Sequence, residues 1–267
     1  MPSAAGLHYD LHGRPDGETL ILSSGLGGMG GYWAPNLRAL SSRYRVLTYD
    51  QRGTGRSAGP LPADLTLDHM AGDLLGLMDA LGVEHATLIG HALGAHIGLA
   101  TALRAPGRLT RIVAINAWPS LDPLTARCFD VRLSLLRNSG PEAFLLAQPL
   151  FLYPPGWISE HDAQLRAEAA AQLTAFAGPE PIERRIAALR AFDPAPRLHE
   201  IDIPVLCVSA ADDMLVPSSA SQRLADALPQ GALATFPWGG HACNVTDAEG
   251  FDAAVLAWLD QTRASRS

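Results

Sequence analysis

Lysine is missing from the 267 residues; all twenty basic side chains are arginine. The bias reads as genomic codon usage, but it excludes a lysine nucleophile, a Schiff base and a P-loop lysine. Cysteine is scarce as well. Cys128, Cys207 and Cys243 form an odd, scattered set without C-x-x-C spacing, which argues against a metal site and points to a reducing compartment. No apolar run reaches transmembrane length, and the N-terminal segment has no signal-type apolar stretch, so a cytoplasmic location without a membrane partner is expected. Basic patches are wanting too, and the net charge is −7, which disfavours nucleic-acid binding.

What is present is an ordinary globular composition, 48% hydrophobic and 18% charged. A chain of this length buries a large core without disulfides and fits one α/β domain with an insertion, or two small domains. Short β-rich runs alternate with helical stretches. Thr19–Ser23, Arg45–Tyr49, Ala86–Ile89 and Arg111–Asn116 read as strands in the first half, and Pro204–Ser209 and Ala232–Phe236 in the second. Leu67–Leu81 reads as an amphipathic helix that Thr66 starts and Gly82 stops. A last helix is expected over about Phe251–Thr262. Strands separated by helices imply parallel pairing. From about Trp118 to Pro196 the rhythm breaks into proline-punctuated helical sequence. The expected organisation is a core of residues 1–117 and 197–267 with a helical cap over 118–196.

Four patterns fall at strand ends, where open parallel sheets bind ligands. Gly90-His91-Ala92-Leu93-Gly94 has the outline of a nucleophile elbow, G-x-S-x-G, but its central residue, Ala92, cannot attack anything. Taken alone, it is as well explained as a plain glycine-rich turn. Ser24-Gly25-Leu26-Gly27-Gly28 follows the first strand where an oxyanion turn lies, so the N–H groups of Leu26 and Leu93 are the expected oxyanion donors. Asp213, four residues before Pro217, is the expected acid in preference to Asp212; its bland alternative is an N-cap for a helix near Ser218. His241, between the last strand and the last helix, is the expected base, although one histidine among nine is by itself more often structural. Elbow, acid and histidine occur in the chain order of α/β-hydrolases, and Asp50-Gln51-Arg52-Gly53-Thr54-Gly55-Arg56-Ser57 resembles a bracing turn of that superfamily. The fold expected is therefore an α/β-hydrolase fold, a mostly parallel sheet flanked by helices.

Several longer stretches are more specific. "SGLGGMGGYW", "YDQRGTG", "GHALG", "RCFDVR", "AQPLFLYP" and "GGHACNVTD" resemble the pyrimidine-utilisation (Rut pathway) protein D family over nearly the whole chain, cap included. The resemblance implies a hydrolase acting on aminoacrylate or carbamate during cytoplasmic uracil breakdown. The alanine of "GHALG" is part of the match.

Three chemistries stay open. His241, oriented by Asp213, activates water; or Ser24, with Cys243 as a weaker choice, supplies another nucleophile; or the protein is a non-catalytic binder on a hydrolase scaffold. No cofactor or metal is expected, the partner is a small-molecule substrate, and a homodimer is left open. Met29, Tyr32, Trp33, Phe151, Tyr153 and Trp157 are candidates for packing or for a pocket mouth. Arg127 and Arg132 are candidates for attracting a carboxylate, with at least one of them expected on a solvated helix face.

Overall fold

Alternate residues of the central strands belong to opposite core layers, as a pleat with both faces covered requires. Ile21, Leu88 and Ile112 pack on one side; Leu20, Leu22, Ile89 and Val113 pack on the other. The computed structural model describes residues 2–57, 59–176 and 178–264. It holds eight strands: β1 (Ser3–Ala4), β2 (Leu7–Gly13), β3 (Thr19–Ser23), β4 (Arg45–Tyr49), β5 (Ala86–His91), β6 (Leu109–Ile115), β7 (Val205–Ala210) and β8 (Gly231–Phe236). They form one sheet in the order β1-β2-β4-β3-β5-β6-β7-β8. From β4 to β8 all pairings are parallel; β2 runs antiparallel to β4 and β1 antiparallel to β2.

The helices are α1 (Ala34–Ser41), α2 (Leu67–Ala80), α3 (Leu93–Arg104), α4 (Pro123–Leu152), α5 (Pro155–Glu160), α6 (Asp162–Thr174), α7 (Glu180–Ala191), α8 (Ser218–Ala227), α9 (Cys243–Thr246) and α10 (Ala248–Ala264). Residues from α2, α3 and α8 fill one face of the sheet; residues from α1 and α10 fill the other. Each fully buried Leu or Ile in these layers stabilises the fold by roughly 1.5–3 kcal/mol. At the start of α2 the Thr66 side chain accepts the His69 N–H, and His69 Nδ1 accepts the Thr66 N–H, so a histidine completes the reciprocal cap. Leu81 ends the helix and Gly82, at φ +63°, turns the chain away.

Between β6 and β7 the chain leaves the sheet as α4 to α7. Gly140, at φ +83°, breaks α4 into two arms. No helix among the described residues is long and apolar enough to cross a membrane. The sheet extends further than the sequence reading, which begins it at Thr19. Strand β2 reads Leu-His-Tyr-Asp-Leu-His-Gly and becomes more exposed toward its end, so its alternation is diluted by polar groups.

Candidate active site

The sharp turn after β5 comes first, because its backbone places everything else. Ala92 stands at φ +47°, ψ −105°, between the last residue of β5 and the first of α3. Its N–H donates to the Ile115 carbonyl at 2.8 Å, which ties the turn to β6. The flanking glycines are required by space. A Cβ on Gly90 would lie 2.5 Å from the Ala95 nitrogen, and one on Gly94 would lie 2.0 Å from the Ser23 oxygen. The helix therefore packs directly on the ends of β5 and β3. Leu93 is the first residue of α3, so its N–H has no partner within the helix.

The turn of residues 24–28 follows β3. Neither the Leu26 N–H nor the Leu93 N–H donates to another described group, so both remain available to a ligand. The Gln51 side chain donates to the Ser24 carbonyl at 2.7 Å, and the Gln51 N–H donates to the Gly28 carbonyl at 2.7 Å. Asp50 accepts the Gly30 N–H at 2.8 Å and the Arg56 N–H at 2.9 Å. Burial works against the charged Asp50, but the hydrogen bonds from Arg56 and Gly30 prevail and hold its carboxyl below the ordinary range. Arg52 pairs with Asp73 of α2. The arginines of this turn thus brace the loop. The Ser24 hydroxyl is buried and without a hydrogen-bond partner.

The structure brings the two distant members of the set together. His241 Nδ1 lies 2.8 Å from Asp213 Oδ2, and both side chains are buried. The other Asp213 oxygen accepts the Leu215 N–H at 2.7 Å and the Val216 N–H at 3.0 Å. Asp213 therefore does not cap α8, whose N-cap residue is Pro217. The neighbouring Asp212 accepts the Gly240 N–H at 2.9 Å, so it braces the histidine loop. A carboxylate on Nδ1 selects the tautomer with the proton there and leaves the lone pair on Nε2.

Two residues that sequence reasoning missed fix the His241 backbone. His91 Nε2 donates to the His241 carbonyl at 2.8 Å, and Asn116 Nδ2 donates to the same oxygen. The His91 and His241 rings meet edge to face with centroids 4.8 Å apart. Burial drives His91 down to about 3, with the nearby His241 adding to the shift, so His91 is neutral near pH 7. Asn116 sits at φ +51°, a conformation asparagine tolerates better than most residues. The only signal in the sequence was position: His91 ends β5 and Asn116 directly follows β6. Cys243, the weaker alternative nucleophile, is buried, which pushes its thiol up to about 12 and keeps it protonated.

The helices between β6 and β7 reach this region from two sides. The Ala242 N–H donates to the Leu152 carbonyl at 3.0 Å, and the Cys128 thiol contacts the Met214 carbonyl at 3.6 Å. From α7, Arg185 donates to the Leu26 carbonyl at 3.0 Å and the Arg52 carbonyl at 2.9 Å. Arg127 is exposed, as a solvated helix face requires, whereas Arg132 is buried. Tyr32 and Trp33 are packed, with Tyr32 stacked obliquely on His91; Met29 is exposed. Tyr153, Trp157 and His161 form a stacked series, and Phe151 packs against the core. Among the described residues no group of three or more metal-type side chains converges.

The sequence profile of the α/β hydrolase fold family matches residues 18–152. A Caulobacter vibrioides protein named "Putative carbamate hydrolase RutD" is 51% identical, with 96% of each chain covered. One of the same name from Agrobacterium fabrum is 49% identical over 96% of this chain and 100% of its own. Among solved structures, the enol-lactonase from Burkholderia xenovorans LB400 is 26% identical with a TM-score of 0.86, covering 95% of this chain and 96% of the lactonase.

Proposed function

Because this chain belongs to the RutD family within the α/β hydrolase fold, we propose that it hydrolyses a small C–N compound of pyrimidine catabolism, carbamate or 3-aminoacrylate, without a serine nucleophile. The observation that carries this reading is the 2.8 Å contact between His241 and Asp213, beside an elbow whose central residue has no attacking group. His241 Nε2 takes a proton from water, and the oxygen attacks the electrophilic carbon. Carbamate plus water then gives ammonia and bicarbonate. Aminoacrylate plus water gives ammonia and the three-carbon aldehyde acid. The Leu26 and Leu93 N–H groups receive the negative charge that grows on oxygen in the carbamate reaction. In other enzymes, oxyanion donors and binding without the nucleophile retain about 10³–10⁴-fold catalysis. That is a useful factor for substrates that already hydrolyse unaided.

Ala92 itself favours a second reading, a ligand-binding or accessory protein on a hydrolase scaffold. Ammonia release from freshly generated carbamate and aminoacrylate separates the two and identifies the substrate. His241→Ala is expected to lower the rate roughly 10²–10⁴-fold while the protein stays folded. Ser24→Ala is expected to leave most of it. Equal rates for the wild type and His241→Ala would remove the general base. A large loss with Ser24→Ala would transfer attack to that hydroxyl.

A further inference from the structure

Arg132 is a cation buried without a counter-ion. It is 5% exposed, and no carboxylate of a described residue lies within 4 Å of it. Of the five N–H donors of a guanidinium, one is used: Nη2 donates to Gln148 Oε1 at 2.6 Å. Its Nε is buried with no partner. Two aromatic rings face it, with the guanidinium 5.8 Å from the Phe144 ring centre and 5.7 Å from that of Phe151. Arg185 is also buried with its Nε unpartnered, but its two terminal nitrogens each donate to a backbone carbonyl, contacts that Arg132 does not make. Burial pulls the Arg132 guanidinium down to about 10, which still leaves it charged at neutral pH. An uncompensated buried charge is costly unless something pairs with it.

Its place in the fold says what does. Cys128, one helical turn earlier on α4, touches the carbonyl of Met214, the residue after Asp213. Phe151, whose ring Arg132 faces, precedes Leu152, whose carbonyl binds the residue after His241. The guanidinium therefore lies in the part of the cap that is fastened to both halves of the dyad. From this we infer that Arg132 and Gln148 form an anion subsite under the cap that takes the carboxylate of a small acid substrate in a two-point hydrogen bond. 3-Aminoacrylate presents such a group away from its reacting C–N bond, whereas the carboxylate carbon of carbamate is itself the reacting centre, so the subsite suits aminoacrylate, and in that respect the inference rests on the proposed function.

Propionate, a three-carbon acid with no C–N bond to hydrolyse, probes the subsite apart from catalysis, with propionamide as its neutral counterpart. Propionate is expected to raise the melting temperature of the wild type and to inhibit ammonia release competitively, and propionamide to do neither. Arg132→Met should lose the propionate effect, raise KM for the anionic substrate roughly 10- to 100-fold and leave kcat within about threefold. Arg132→Lys should restore part of the binding. Without ligand, Arg132→Met should melt at or above the wild-type temperature, because it removes an unpaired buried charge; a structural arginine would give a lower one. Wild type indifferent to propionate, or Arg132→Met binding it as wild type does, overturns the subsite. Should Arg132→Met fail to fold, its structural role is shown and the inference fails with it. Loss of the His241 effect on ammonia release would sink the proposed chemistry while leaving the propionate titration as a separate result.

Discussion

Ala92 keeps a backbone that an alanine does not favour. A non-glycine residue at φ +47° costs of order 1–3 kcal/mol, and it persists only where the surroundings over-determine it. They do so here through the bond to Ile115 and the close approach of β3 to α3 at Gly94. The elbow thus retains its geometry although its side chain has no chemistry. Ala92→Ser should then behave as a nucleophile without further change. With p-nitrophenyl acetate, the variant is expected to show a burst of p-nitrophenolate and an acetyl adduct on residue 92 by mass spectrometry, both lost when His241→Ala is added. An unacetylated Ala92→Ser protein would mean that His241 Nε2 does not reach this position. At single-residue level the sequence reading preferred Asp213 to Asp212. Spacing to Pro217 chose it, and the structure gives each neighbour a different loop to hold.

Among the elements, β3 and β4 coincide with the sequence reading because dense β-branched and leucine-rich runs end in glycine or polar turns. Strand β2 escaped it because three of its seven residues are His or Asp at an antiparallel margin. The segment between β6 and β7 was legible as helical sequence, but its connections were not. Arg185 grips the turn after β3 from 159 residues away, and nothing local in its sequence announces that. Gly28 records the contact: a Cβ there would lie 2.4 Å from an Arg185 nitrogen. Arg185 therefore holds the turn that carries the Leu26 N–H. Arg185→Met is expected to lower kcat about 10- to 100-fold with KM changed much less, since an ångström of misplacement weakens the transition state more than the ground state. Arg185→Lys should recover part of kcat by reaching one of the two carbonyls. A proportionate rise in KM with kcat intact would assign Arg185 to substrate binding instead.

The whole molecule carries its buried histidines as an acid liability. Burial drives His91 down to about 3 and His96 to about 4, while hydrogen bonds to carbonyls oppose the shift only in part. Both groups have lower pKa values folded than unfolded. Their stabilising contribution is complete above the unfolded value of about 6.5 and is lost as pH falls toward the folded values. Asp252 acts in the other direction. Burial raises its carboxyl to about 6 despite the hydrogen bond from Asn36, so the folded state binds the extra proton. Between about pH 4 and 6 the unfolded chain holds about two protons at these histidines that the folded chain lacks, and the folded chain holds about one at Asp252 that the unfolded chain lacks. The net difference of one proton makes stability fall by about 1.4 kcal/mol per pH unit on acidification. Urea unfolding at about pH 4.5 and 5.5 should read that slope. His96→Gln is expected to bring it close to zero, and Asp252→Asn to roughly double it. A slope unmoved by either substitution would place the acid sensitivity outside these three groups.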